Sequence, residues 1–197
     1  MDNPVDNKPV ILEQEKKFAA RLAGLVLVKP KLSAWMIFIP FIFIFYFQDF
    51  SKYKKQRKEF MDNWLLSRKK ALNEAEDAKD EGRKTDTQYL AKQANLKPKV
   101  TGKYNRLLEI MANHYTLLLN AGGDTYETLV RSAYKNRQGE FLFFINQVSD
   151  AEKALNKALA PGLRKTSEGV GSTIKKIEKG SEELRRQDVK KIFVSEK

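Results

Sequence analysis

Apolar positions recur with a helical period along most of this chain, and one stretch abandons the period altogether. Residues 10–28 read as an amphipathic helix. Ile11, Phe18, Leu22, Leu25 and Val26 recur at intervals of three, four or seven, while Glu13, Gln14, Lys16, Lys17 and Arg21 fall elsewhere. Lys29-Pro30-Lys31 then breaks the pattern. Residues 32–48 come next as 17 positions without a charge, ending in Phe-Ile-Phe-Ile-Phe-Tyr-Phe. The letters suit a strand, but a strand here would be apolar on both faces, and no comparable β-rich run exists to pair with it. A helix satisfies its own backbone in lipid, so the run is expected to be a membrane helix. At ~1.5 Å per residue it would reach roughly 25 Å, short for a hydrocarbon core of about 30 Å.

The helical period returns at residue 49. Phe50, Tyr53, Phe60, Trp64 and Ala71 mark one long helix, widened by Met61, Leu65 and Leu72 and ending near Gly82. Residues 82–99 read as a connector, with a short helix opened by Thr85-Asp86-Thr87-Gln88 and closed by Pro98. Leu107, Leu108, Met111, Tyr115 and Leu118 give residues 101–121 a strong apolar stripe, and Gly122 stops it. Asp124-Thr125-Tyr126-Glu127 is a helix start, and that helix is expected to run to about Gln138 before Gly139 interrupts it. Phe141, Phe144, Ile145, Val148, Ala151, Leu155 and Leu159 share a face in residues 140–160, with Pro161-Gly162 as the stop. The remainder, 161–197, is charged. Val170, Ile174, Ile177 and Leu184 hint at a further helix, and Gly169, Gly171 and Gly180 weaken it, so a flexible tail that orders on a partner is expected.

The expected fold is therefore all-α: a single short transmembrane or re-entrant helix plus a small antiparallel helical bundle. The expected divisions are an N-terminal tail with an amphipathic helix (1–31), the membrane helix (32–48), the bundle (49–160) and the charged tail (161–197). The helix at 10–28 would lie on the lipid surface or pack on the bundle.

Charge sharpens the membrane reading. The chain holds 37 basic and 25 acidic residues among 197, a net +12, which favours anionic partners. Trp35 and Tyr46 stand near the two ends of the uncharged run, as interfacial rings do. Pro40, mid-run, would either kink a crossing helix or turn the chain back. Lys52, Lys54, Lys55, Arg57 and Lys58 come after the run and are expected to contact anionic phospholipid headgroups, at about 1 kcal/mol each. Six basic residues in the twenty after the run, against five in the twenty before it, lean towards a cytoplasmic C-terminal portion, as at a bacterial inner membrane. A cleaved signal peptide does not fit, since 31 residues rich in charge precede the run and no small-x-small site succeeds it.

Candidate chemistry is sparse. With no cysteine there is no disulfide, thiolate ligand or cysteine nucleophile. His114 is the only histidine, with Met111 where a Glu-x-x-His pair would need an acid, so it is read as a packed helix residue. Gly169-Val170-Gly171-Ser172-Thr173 lacks the lysine and the preceding strand of a phosphate loop. Tyr53 and Phe60 interleave with the basic cluster, but no nucleic-acid module is visible. These features lead to a non-enzymatic, membrane-anchored interaction or scaffold protein without cofactor or metal, its partners the lipid bilayer and an unidentified protein. An accessory subunit of a membrane complex is the alternative, and after it a lipid-substrate enzyme with a re-entrant anchor.

Overall fold

The computed structural model describes the backbone of residues 6–27, 40–163 and 170–193, with side chains for 52–161 and 171–193 in the last two segments. The described residues form seven helices and no strand: α1 (Lys8–Val26), α2 (Pro40–Asp80), α3 (Thr87–Gln93), α4 (Pro98–Leu119), α5 (Tyr126–Ala133), α6 (Gln138–Leu163) and α7 (Val170–Phe193).

The centre of the core is α4, whose expected stripe of Leu107, Leu108, Met111, Tyr115 and Leu118 is buried throughout. It packs against Ala71, Leu72 and Ala75 of α2, Leu129 and Val130 of α5, and Phe141 and Val148 of α6. A leucine fully withdrawn from water contributes about 1.5–3 kcal/mol, so this stripe is where the fold gains most. Local signals fix the helix ends. Asp86 caps α3 by accepting from Tyr89 N at 3.0 Å, and Thr125 and Thr128 form a reciprocal capping box at α5. Gly123 sits at φ +147, and a Cβ there would lie 2.5 Å from Thr128 Oγ1, so this turn accepts only glycine. The C-terminal carbonyls of α4 are satisfied from a distance: Asn7 Nδ2 donates to Leu118 O and Ala121 O, and Lys79 Nζ to Leu119 O.

Cross-helix contacts give the directions. Lys8 pairs with Glu76, Glu15 with Arg68, Phe18 stacks on Trp64, and Arg57 donates to Ala20 O, so α1 runs antiparallel to α2. Phe141 meets Phe193 and Asn156 meets Glu178, so α6 and α7 are antiparallel too. A second apolar cluster of Phe18, Leu22, Val26 and Leu184, with Phe60, Trp64 and Ile177, joins α1, α2 and α7. The last turn of α1 and the first turn of α7 therefore lie at the end of the bundle from which α2 emerges.

The structure corrects the sequence reading in several places. Among the described residues no helix is long and apolar enough to cross a membrane. Residues 32–39 of the expected membrane helix, Trp35 among them, lie outside the described residues. Residues 40–48 are the first part of α2, which runs unbroken through the boundary expected at residue 48 because nothing between 48 and 80 breaks a helix. Pro40 is the first residue of that helix, a position where a missing N–H costs little. Residues 170–193 are a packed helix and not a loose tail: Gly180 lies against α1, where a Cβ would stand 3.0 Å from Leu22 Cδ1, so the glycine permits close approach. The break expected at Gly139 falls at residues 134–137 instead, where Lys135 and Asn136 take positive φ, and α6 carries Pro161 in its last turn. Finally, α1 turns Ile11, Phe18, Leu22 and Val26 into the bundle, which settles its choice between core and lipid surface.

Candidate functional site

The basic stretch of α2 lies beside the second half of α1, at the end of the bundle from which α2 emerges. Lys52, Lys54, Lys55 and Lys58 are exposed, and Arg57 is half-buried. At ~100° per residue, positions 57, 54, 58, 55 and 52 sweep about 220° of the helix circumference, while Tyr53, Phe60 and Trp64 occupy the remaining arc. That remaining arc faces α1 and α7. The cations thus form a collar around the helix axis and not a stripe along one side. A collar suits a helix that enters a charged surface end-on; a helix lying flat presents its cations in a line. Tyr46 falls within α2 on the apolar side of the collar, and its side chain lies outside the described ones.

Between α1 and this part of α2 runs a groove of about 490 Å³. Lys16, Lys54, Arg57, Lys58 and Lys69 line it against one acid, Asp62, with Met61 and Leu65 contributing apolar wall. Arg57 reaches across: its Nη2 donates to Ala20 O over a long 3.4 Å.

Behind the collar lies a charged core that the apolar periodicity does not announce. Arg68, only 6% exposed, sits on the same face of α2 as Arg57, three turns on. Its Nε lies 3.1 Å from Glu15 Oε2 of α1, its Nη2 donates to Glu152 Oε1 of α6 at 2.6 Å, and its guanidinium lies 3.8 Å over the Trp64 ring. Arg185 of α7 donates to the same Glu152 oxygen at 2.7 Å and to Ser149 Oγ at 2.9 Å. Tyr115 of α4 donates to Glu15 Oε1 at 2.8 Å. Five helices are thus joined by one buried network. Burial pushes the Glu152 carboxyl up, and the guanidiniums of Arg185 and Arg68 more than offset this, leaving it below the ordinary value of 4.5. Burial pulls Arg68 down, and Glu152 and Glu15 reverse that. The signal was present in the sequence: Glu15, Arg68, Glu152 and Arg185 each interrupt an apolar stripe, where an unpaired charge could not stay.

A cavity of about 60 Å³ borders this network, with His114, Tyr115, Tyr126 and Asp188 in its wall. His114 is buried, stacks on Phe144 at 3.9 Å, and holds the Tyr134 hydroxyl 2.7 Å from Nδ1 and the Tyr126 hydroxyl 3.4 Å from Nε2. Burial pulls its imidazole down to about 3, so the ring is neutral at neutral pH, one nitrogen donating and the other accepting. Among the described residues no group of three or more histidine or acidic side chains is arranged to hold a metal ion. Comparison of the chain with protein-family models, with curated proteins and with solved structures gives no match.

Proposed function

We propose that this chain is a helical interaction protein held at a membrane surface, with the uncharged run 32–48 inserted in one leaflet and the bundle presented on the cytoplasmic side. The observation that carries this reading is the antiparallel packing of α1 on α2. Leu27 and the collar at residues 52–58 stand at the same end of one packed body. A crossing helix between them would put about 30 Å of hydrocarbon between α1 and the helix it packs against. The run therefore enters and leaves by the same face. From residue 40 to residue 51 helix α2 rises roughly 17 Å, about half of such a core, which suits insertion to the midplane. The collar then meets the headgroups end-on, each cation contributing about 1 kcal/mol on an anionic leaflet.

Alkaline carbonate should leave the protein on membranes and detergent should release it. In sealed vesicles, cysteines placed singly at residue 6 and at residue 193 should be labelled from the same side by an impermeant maleimide. Labelling from opposite sides would refute single-leaflet insertion, and release by carbonate would refute insertion altogether.

A second reading, an accessory subunit of a larger membrane complex, is favoured by apolar side chains on α4 and α6 that the bundle leaves uncovered: Leu117, Leu142 and Phe143, the last 61% exposed. Purification in mild detergent that retains a stoichiometric membrane partner, lost on Phe143→Ser, would support it.

A further inference from the structure

Half-buried Arg57 is held differently from the buried guanidiniums of Arg68 and Arg185. Its Nε–H is buried and has no acceptor among the described residues. Its hydrogen bond to Ala20 O is at the outer limit of length, and no carboxylate among the described residues pairs with it. Asp62, the acid in the same groove wall, makes no ion pair with a described residue. Arg57 as a whole is half-buried and lines the groove, so its charge can be answered there by an anion that enters from outside. The groove supplies the rest of a site for one. Lys58 stands beside Arg57 on α2, and Lys16 of α1 and Lys69 of α2 line the wall further along.

We propose that this groove is a phosphate-recognition site and that it takes the phosphomonoester headgroup of an anionic lipid. A guanidinium presents parallel N–H donors that match two oxygens of one phosphate, which a lysine cannot do. A monoester carries more charge than the diester of ordinary phospholipids, and the excess of cations around Arg57 answers that charge. A lipid is the source because Arg57 lies within three helical turns of the apolar segment on the same helix. This rests on the reading that residues 40–48 enter a bilayer.

The test is flotation of the full-length protein with vesicles of phosphatidylcholine alone, and with phosphatidylglycerol or phosphatidic acid added to equal surface potential. Binding to phosphatidic acid should be about tenfold tighter than to phosphatidylglycerol, the worth of one charge-assisted hydrogen bond. Arg57→Lys keeps the charge and loses the fork, and should abolish that preference without changing flotation on phosphatidylcholine. Lys16→Gln should reduce the preference in part. Lys55→Gln, outside the groove, should leave it intact. Thermal melts of each variant check the fold. Equal binding to both anionic lipids, or a preference that survives Arg57→Lys, overturns the site while leaving membrane insertion standing. Full competition by millimolar inorganic phosphate overturns the lipid assignment. Failure to float on any vesicle overturns the insertion reading and this proposal with it.

Discussion

Arg57 and Arg68 are the same residue type on the same face of the same helix, three turns apart, and they live in opposite electrostatic worlds. Arg68 has Glu15, Glu152, a backbone carbonyl and the face of Trp64 around it. Among the described residues Arg57 has one long bond to Ala20 O and an Nε–H with no acceptor. The difference comes from α1. Its Glu15 lies in its first half, and because α1 runs antiparallel this acid comes opposite the middle of α2. Of its bases, Lys16 lies further along and lines the groove beside the collar, whereas Arg21 pairs with Asp188 of α7 and Lys17 lies on that same side. Charge in this molecule is closed on itself at the centre and open at one end. The centre holds the helices together, and the open end is what a partner can use.

The largest test of that contrast is removal of the central arginine. Arg68→Ala leaves two carboxylates buried with one cation fewer and should cost about 3–5 kcal/mol, read by urea denaturation, whereas Arg57→Ala should cost under about 1 kcal/mol. Equal losses would end the distinction between closed and open charge. Next in size is Gly180→Leu, which drives a side chain into Leu22 where α7 meets α1. It should cost about 1–3 kcal/mol and expose residues 170–193 to limited proteolysis, while Gly102→Ala in α4, where a Cβ meets nothing within 4 Å, should not. Loss of the Thr125 cap by Thr125→Ala should cost about 0.5–2 kcal/mol without altering the far end of the bundle.

Acid should act on the centre. The folded His114 sits near 3 against an ordinary 6.5, so between these values the unfolded chain binds a proton that the folded chain does not. Stability is full above pH 6.5 and falls as pH drops, by at most about 1.4 kcal/mol per unit. Glu152, depressed below 4.5, adds stability that is present above that value and lost beneath it. His114→Phe should flatten the melting profile between pH 6.5 and 4.5 and leave the steeper loss below. An unchanged slope would mean that His114 is protonated in the folded state.

Much of the fold could be read from residue order. Leu107, Met111 and Tyr115 marked the buried face of α4, Asp86 and Thr125 marked helix starts, and the collar residues stood out as a cluster beside an uncharged run. Gly180 misled, because glycine has two meanings in a helix and only a neighbour tells them apart: beside Leu22 it is a contact, and in isolation it is a weakness. Glu15, Arg68, Glu152 and Arg185 were visible as charges on apolar stripes, yet nothing in one helix says which other helix will neutralise it.

The sequence by itself determined most of the helices, their apolar faces, the uncharged run and the basic cluster that follows it, because a period of 3.6 residues and the chemistry of helix ends act within a few residues of one another. The tertiary structure decided that α1 lies antiparallel on α2, which puts both flanks of the uncharged run at one end. It decided too that α7 packs and that Arg68 is paired where Arg57 is not. Those outcomes depend on which surfaces meet, and partners brought together across as many as 167 residues, as Arg21 and Asp188 are, leave no periodic trace along the chain.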